Sequence, residues 1–69
     1  MKISARNILK GKVVKITHGA VNTEVVLELD GGAQVVSMIS KDSAERLGLK
    51  KGCVAYAVVK ASNVMIAVD

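Results

Sequence analysis

Apolar and polar positions alternate through most of this chain, and the places where the alternation breaks mark its elements. Over residues 8 to 17, Leu9, Gly11 and Val13 share one face of a strand, but Ile16 falls out of phase with them. A bulge or sharp bend near Val13 and Val14, eased by Gly11, accounts for the slip. Val21, Thr23, Val25, Leu27 and Leu29 then alternate with Asn22, Glu24, Val26 and Glu28, which predicts a second strand with one buried and one solvated face. Asp30-Gly31-Gly32 is a turn signal, and Val35 to Ile39 supplies the returning strand of a hairpin.

A short helix interrupts the strands. Ser40 is placed to cap Lys41 to Leu47, with Asp42, Ser43 and Glu45 near its positive end, and Gly48 followed by Leu49 reads as a Schellman stop. After the Lys50-Lys51-Gly52 turn, Val54 to Val59 and Val64 to Val68 are rich in β-branched residues and are separated by Ala61-Ser62-Asn63. The prediction is an all-β fold: a small five-stranded Greek-key barrel of the oligonucleotide/oligosaccharide-binding (OB) type, with one short helix between strands 3 and 4. Such a barrel hosts many unrelated ligands, so the fold alone leaves function open.

Composition narrows the picture. The 69 residues make one domain, spanning 1–69, with no composition shift, repeat or low-complexity stretch to suggest a second. A core this small is marginal by itself, and small domains lean on disulfides, a structural metal or self-association. Cys53 is the only cysteine and His18 the only histidine, so neither a disulfide framework nor a four-ligand zinc site can be built within one chain. Self-association remains. Apolar residues make up 51% of the chain, more than a small barrel can bury, and the surplus suits subunit interfaces. No apolar run approaches the roughly 18 residues of a membrane span, and the N-terminus lacks a signal-peptide core, so a cytoplasmic protein is expected.

The net charge of +4 attracts anions of every kind, and two short polar motifs say which kind fits best. Ser4-Ala5-Arg6-Asn7 lies near the N-terminus, and Lys60-Ala61-Ser62 precedes the last strand-like segment. A tetrahedral oxyanion presents only acceptors, so its site needs donors: two cations, two hydroxyls, and small residues that let the ligand approach backbone N–H groups. Arg6 offers a rigid fork that stays charged, and Lys60 adds a compact second charge. A second candidate is the turn Thr17, His18, Gly19, Ala20, Val21 and Asn22, where the glycine could expose successive N–H groups as an anion-binding nest. Tyr56 and Cys53 read as packing residues, with no paired base or metal partner.

These residues also carry a family resemblance. Ser4-Ala5-Arg6-Asn7, Leu9-x-Gly11-x-Val13, Gly19-Ala20-Val21-Asn22, Ser43-Ala44-x-x-Leu47-Gly48-Leu49 and Lys60-Ala61-Ser62 together resemble the Mop domain, specifically the stand-alone molbindins. The resemblance covers essentially the whole chain. It implies a cytoplasmic protein that binds molybdate, and tungstate; with a single domain, molybdenum storage and homeostasis are expected rather than the sensing role of similar domains attached to larger partners. It implies an OB-like barrel assembled as a hexamer, a trimer of dimers, with ligands between subunits. There the N-terminal segment crosses to a neighbour, setting Ser4, Ala5, Arg6 and Asn7 of one chain against Lys60, Ala61 and Ser62 of another. The oxyanion is the ligand; no cofactor and no directly coordinated metal cation is expected, nor a nucleic-acid or membrane partner.

The competing reading is a single-stranded nucleic-acid-binding OB module. Those surfaces stack bases on several aromatic rings, each worth about 1–3 kcal/mol, whereas Tyr56 is the only aromatic here. An enzyme is not expected, since no Cys/His or Ser/His/Asp set can be assembled with sequence support.

Overall fold

The computed structural model describes residues 1–69. Strand β1 (Asn7–His18) leads into β2 (Asn22–Leu29) and β3 (Gln34–Ser40), helix α1 (Lys41–Arg46) follows, and β4 (Val54–Val59) ends in a single 3-10 turn at Ala61–Asn63. All pairings are antiparallel, in the order β3-β2-β1-β4. The long strand β1 is shared: Asn7 to Lys12 pair with β4, and Gly11 to His18 pair with β2. One strand that serves two neighbours along its length has to curl the sheet, which gives the OB-like shape.

Two devices allow that curl. The β1–β2 register passes from Val13↔Leu27 to Lys15↔Val26, so Val14 is the extra residue of a bulge where the sequence placed one. Ile16 is thereby returned to the core, which consists of Val13, Val25 and Leu27 with Ile16, Ile39, Leu49, Cys53, Ala55 and Ala57 packed against them. The second device is Gly11, paired with both Leu29 and Ala55. A Cβ there would lie 2.9 Å from the Glu28 carbonyl oxygen and 3.1 Å from Leu29 Cδ2. Gly11→Val is therefore expected to destabilise the protein by about 1–3 kcal/mol through overpacking against backbone. Urea denaturation checks this, and an unchanged midpoint would show that the strands are not in such close approach.

The helix is stopped and started as its sequence dictates. Ser40 Oγ accepts the Ser43 N–H at 3.0 Å. At the other end Gly48, at φ +65°, lets its own N–H donate to the Glu45 carbonyl at 3.0 Å and that of Leu49 to the Ala44 carbonyl at 3.2 Å, the two bonds of a Schellman motif. Buried Ala44 seats the helix on β2 and β3.

Two expectations need correction. Val26, assigned by alternation to the solvated face, is buried, because β2 is an interior strand and the register sets Val36 on one side of it and the Lys15 stem on the other. The second concerns strand count: Val64 to Val68 form no fifth strand. The segment has the composition and, at Val64, the extended backbone of a strand (φ −90°, ψ 122°), but a strand also needs an edge to pair with. Here it meets none, and Met65, Ile66 and Val68 are 93%, 87% and 92% exposed. The curled sheet is consequently open between β3 and β4. Only six residues are buried in the single chain, while Ile8, Leu9, Val36, Met38, Val54 and Val58 remain exposed.

Candidate functional site

The last rung of the β1–β4 ladder is Asn7↔Val59. Because the pairing is antiparallel, the residues before Asn7 and those after Val59 leave the sheet side by side. Ser4, Ala5 and Arg6 thus meet Lys60, Ala61 and Ser62, and with Ile3, Val58 and Asn63 they line one open concavity of about 630 Å³. The Asn7 side chain locks this arrangement by donating from Nδ2 to the Val59 carbonyl at 3.2 Å. Asn7 itself does not line the concavity, so it holds the two motifs together from behind. The 3-10 turn fixes the other side, with the Asn63 N–H on the Lys60 carbonyl at 2.9 Å and the Val64 N–H on that of Ala61 at 3.3 Å.

The electrostatics are one-sided. Arg6 and Lys60 are the charged residues of the lining, and no carboxylate is among them. Ser4, Ser62 and Asn63 add neutral donors, and Ala5 and Ala61 keep the floor low. The resemblance implied that the two motifs meet across subunits; in the structure they already meet within one chain, because the ladder end compels it. Arg6, Lys60 and Ser62 are nonetheless exposed, so one face of the concavity is free for a second surface. Asn63 was not anticipated, although its place next to Ser62 in a three-residue turn was the available signal.

The loop after β1 is built differently. Gly19 donates its N–H to the Asn22 carbonyl at 2.7 Å and is not in the left-handed region, so its N–H is already committed. Val21 is engaged as well, its carbonyl accepting the Lys41 N–H at 2.8 Å. His18 Nδ1 lies 3.1 Å from Oγ1 of the fully buried Thr23, and the imidazole borders a shallow concavity of about 480 Å³ with Lys41, Glu45 and Lys50. Those two lysines come from α1 and the turn beyond it, and nothing in the spacing of the sequence announced them. Thr17, Ala20 and Val21 are exposed and do not line it.

No group of three or more His, Cys, Asp or Glu side chains is placed to hold a metal ion, and no helix is long and apolar enough to cross a membrane. Cys53 is half-buried against the core, whereas Tyr56 is 47% exposed on the edge strand β4 rather than packed away.

Comparison with known proteins gives the family of the chain and agrees with its fold. The TOBE domain model matches residues 3–66. Molybdenum-pterin-binding protein 2 of Clostridium pasteurianum is 58% identical over 66 residues, spanning 96% of this chain and 97% of its own length. Among solved structures, an apo form of MopII from Clostridium pasteurianum superimposes with a TM-score of 0.93 at 55% identity, covering 97% of this chain and all of that one. The molybdate-bound cytoplasmic molybdate-binding protein ModG gives a TM-score of 0.91 at 54% identity, covering 94% of this chain and 46% of that chain. With a family model across nearly its whole length and relatives of its own size, this chain belongs to the TOBE-domain family, among the stand-alone Mop-domain proteins.

Proposed function

We propose that this protein binds molybdate, and tungstate with it, in the concavity at the end of the β1–β4 ladder, and so serves as a cytoplasmic molybdenum store without enzymatic activity. The observation that carries the proposal is the convergence of Ser4-Ala5-Arg6 with Lys60-Ala61-Ser62 in a lining that holds two cations and no carboxylate. Arg6 and Lys60 balance a dianion, and the serine hydroxyls with the Asn63 amide and nearby backbone N–H groups supply directional donors.

Exposure argues for a shared site. Arg6, Lys60 and Ser62 are exposed, so an anion held by them on a single chain keeps one side in water. A second copy closing over the exposed side would remove the anion from water and fix the pocket's dimensions. This agrees with the apolar surface left uncovered on the single chain, and the assembly proposed is a hexamer built as a trimer of dimers. The Thr17–Val21 loop is proposed as a second oxyanion site; its donors are His18, Lys41 and Lys50 rather than the Gly19 N–H, and Glu45 makes it the weaker of the two.

An anion panel tests specificity. Molybdate and tungstate are expected to raise the melting temperature well above the shifts given by equal concentrations of sulfate or phosphate, because ligand bound only by the folded state stabilises it by about 2.7 kcal/mol at 100 times Kd. Sulfate is a smaller tetrahedron. Phosphate is partly protonated and needs an acceptor that a donor-only lining lacks. Calorimetric titration gives the stoichiometry per chain. Equal shifts for all four anions, or single-stranded DNA binding that survives moderate salt, would overturn the assignment in favour of a non-specific anion binder or a nucleic-acid module.

A further inference from the structure

The concavity beside His18 is one charge short of a dianion. Its charged lining sets Lys41 and Lys50 against Glu45, which leaves one net positive charge. The main site has no such shortfall, since Arg6 and Lys60 are opposed by no carboxylate. The remaining group of the second lining that can change its charge near neutral pH is His18, the only histidine of the chain. Its ring is held from beneath: Nδ1 lies 3.1 Å from Oγ1 of the fully buried Thr23, its direct partner across the β1–β2 ladder. Lys15 pairs with Val26 and Glu24 with Thr17, so neither charge shares the face of His18. A hydroxyl both donates and accepts. By turning its hydrogen, Thr23 can donate to the bare Nδ1 of a neutral ring or accept from the N–H of a charged one, so the contact orients the imidazole without fixing its charge.

We infer that a proton on His18 completes the second site: an oxyanion entering the concavity draws a proton from solvent onto Nδ1, and the imidazolium so formed, held by Thr23, supplies the missing positive charge. Nδ1 takes the proton because the Thr23 hydroxyl, donating to it, leaves the hydrogen of the neutral ring on Nε2. Linkage sets the sign. The anion favours the charged ring, so loading raises the pH at which His18 titrates, and affinity at this site rises as pH falls through the ordinary imidazole range. The main site, built on a guanidinium and an ammonium that stay charged there, does not follow pH in that range. One chain thus carries a pH-dependent oxyanion site beside a pH-independent one. The inference rests on the second-site reading and adds how that site is regulated.

As the only histidine, His18 gives an unambiguous imidazole signal in a proton NMR titration, which is run on a Lys60→Ala variant so that the main site is weakened. Saturating molybdate is expected to move the midpoint up by about half a pH unit or more, the mark of at least a threefold coupling between proton and anion. In the same background His18→Gln, which keeps a neutral donor, is expected to give a second-site affinity that calorimetry finds constant between roughly pH 6 and pH 7.5. Binding at the second site with an unmoved midpoint, or a pH dependence that survives His18→Gln, overturns the proton coupling and leaves the second site standing. Lys41→Gln with Lys50→Gln separates the two readings. If that pair leaves the binding seen in the Lys60→Ala background unchanged, or if that background binds no molybdate, the second site itself falls and the proton coupling with it.

Discussion

Arg6→Ala and Lys60→Ala are each expected to weaken molybdate binding at the main site by about 2–5 kcal/mol, the range for truncating one partner of a charge-assisted contact withdrawn from water. Each deletion leaves a dianion facing one cation instead of two in a lining with no other charge. The fold is expected to survive, since both side chains are exposed and neither belongs to the core. Titration calorimetry reads the affinity, and circular dichroism confirms the fold. Parent-like binding by both variants would dismiss the concavity as the site. Lys60→Arg should restore charge without restoring full affinity, because a forked guanidinium does not occupy the place of a compact ammonium.

Leu27→Ala is expected to cost about 2–5 kcal/mol of stability. Leu27 is one of three residues forming the buried cluster, beside Val13 and Val25, and it pairs with Val13 at the bulge and with Val35 on the other side. Since small domains hold only about 5–15 kcal/mol in total, the variant should fall close to the limit of folding. Urea unfolding at fixed protein concentration, with and without saturating molybdate, checks both the loss and its partial recovery by ligand. A loss under 1 kcal/mol would mean that the core of the assembled protein lies elsewhere.

Local rules made most of the fold legible. The bulge was announced by Ile16 falling out of phase, the helix by Ser40 and Gly48, and the hairpin by Asp30-Gly31-Gly32, because each follows from side-chain period, capping or turn chemistry within a few residues. Val26 was misjudged because alternation assumes a solvated outer face, and an interior strand flanked by apolar and long-stemmed neighbours does not have one. The fate of Val64 to Val68 was beyond local rules, since β-branched composition says that a segment suits a sheet but not whose sheet. Both halves of the candidate anion site were visible as donor-rich strings, yet nothing local revealed that Asn7 would spend its amide on Val59 or that Lys41 and Lys50 would stand beside His18. Those depend on long-range register.

The Asn7↔Val59 rung has a kinetic consequence. The two residues are 52 positions apart, so they can meet only after a large loop has closed, and closure entropy grows with the logarithm of loop length. No fragment missing either end can assemble the oxyanion cradle. A molybdate ion in the proposed site beside that rung would tie together β1 and β4, the first and last strands of the chain, so an opening that begins by peeling β4 from β1 would release the ion. At the proposed site, loading with molybdate is therefore expected to lengthen the lifetime of the closed molecule.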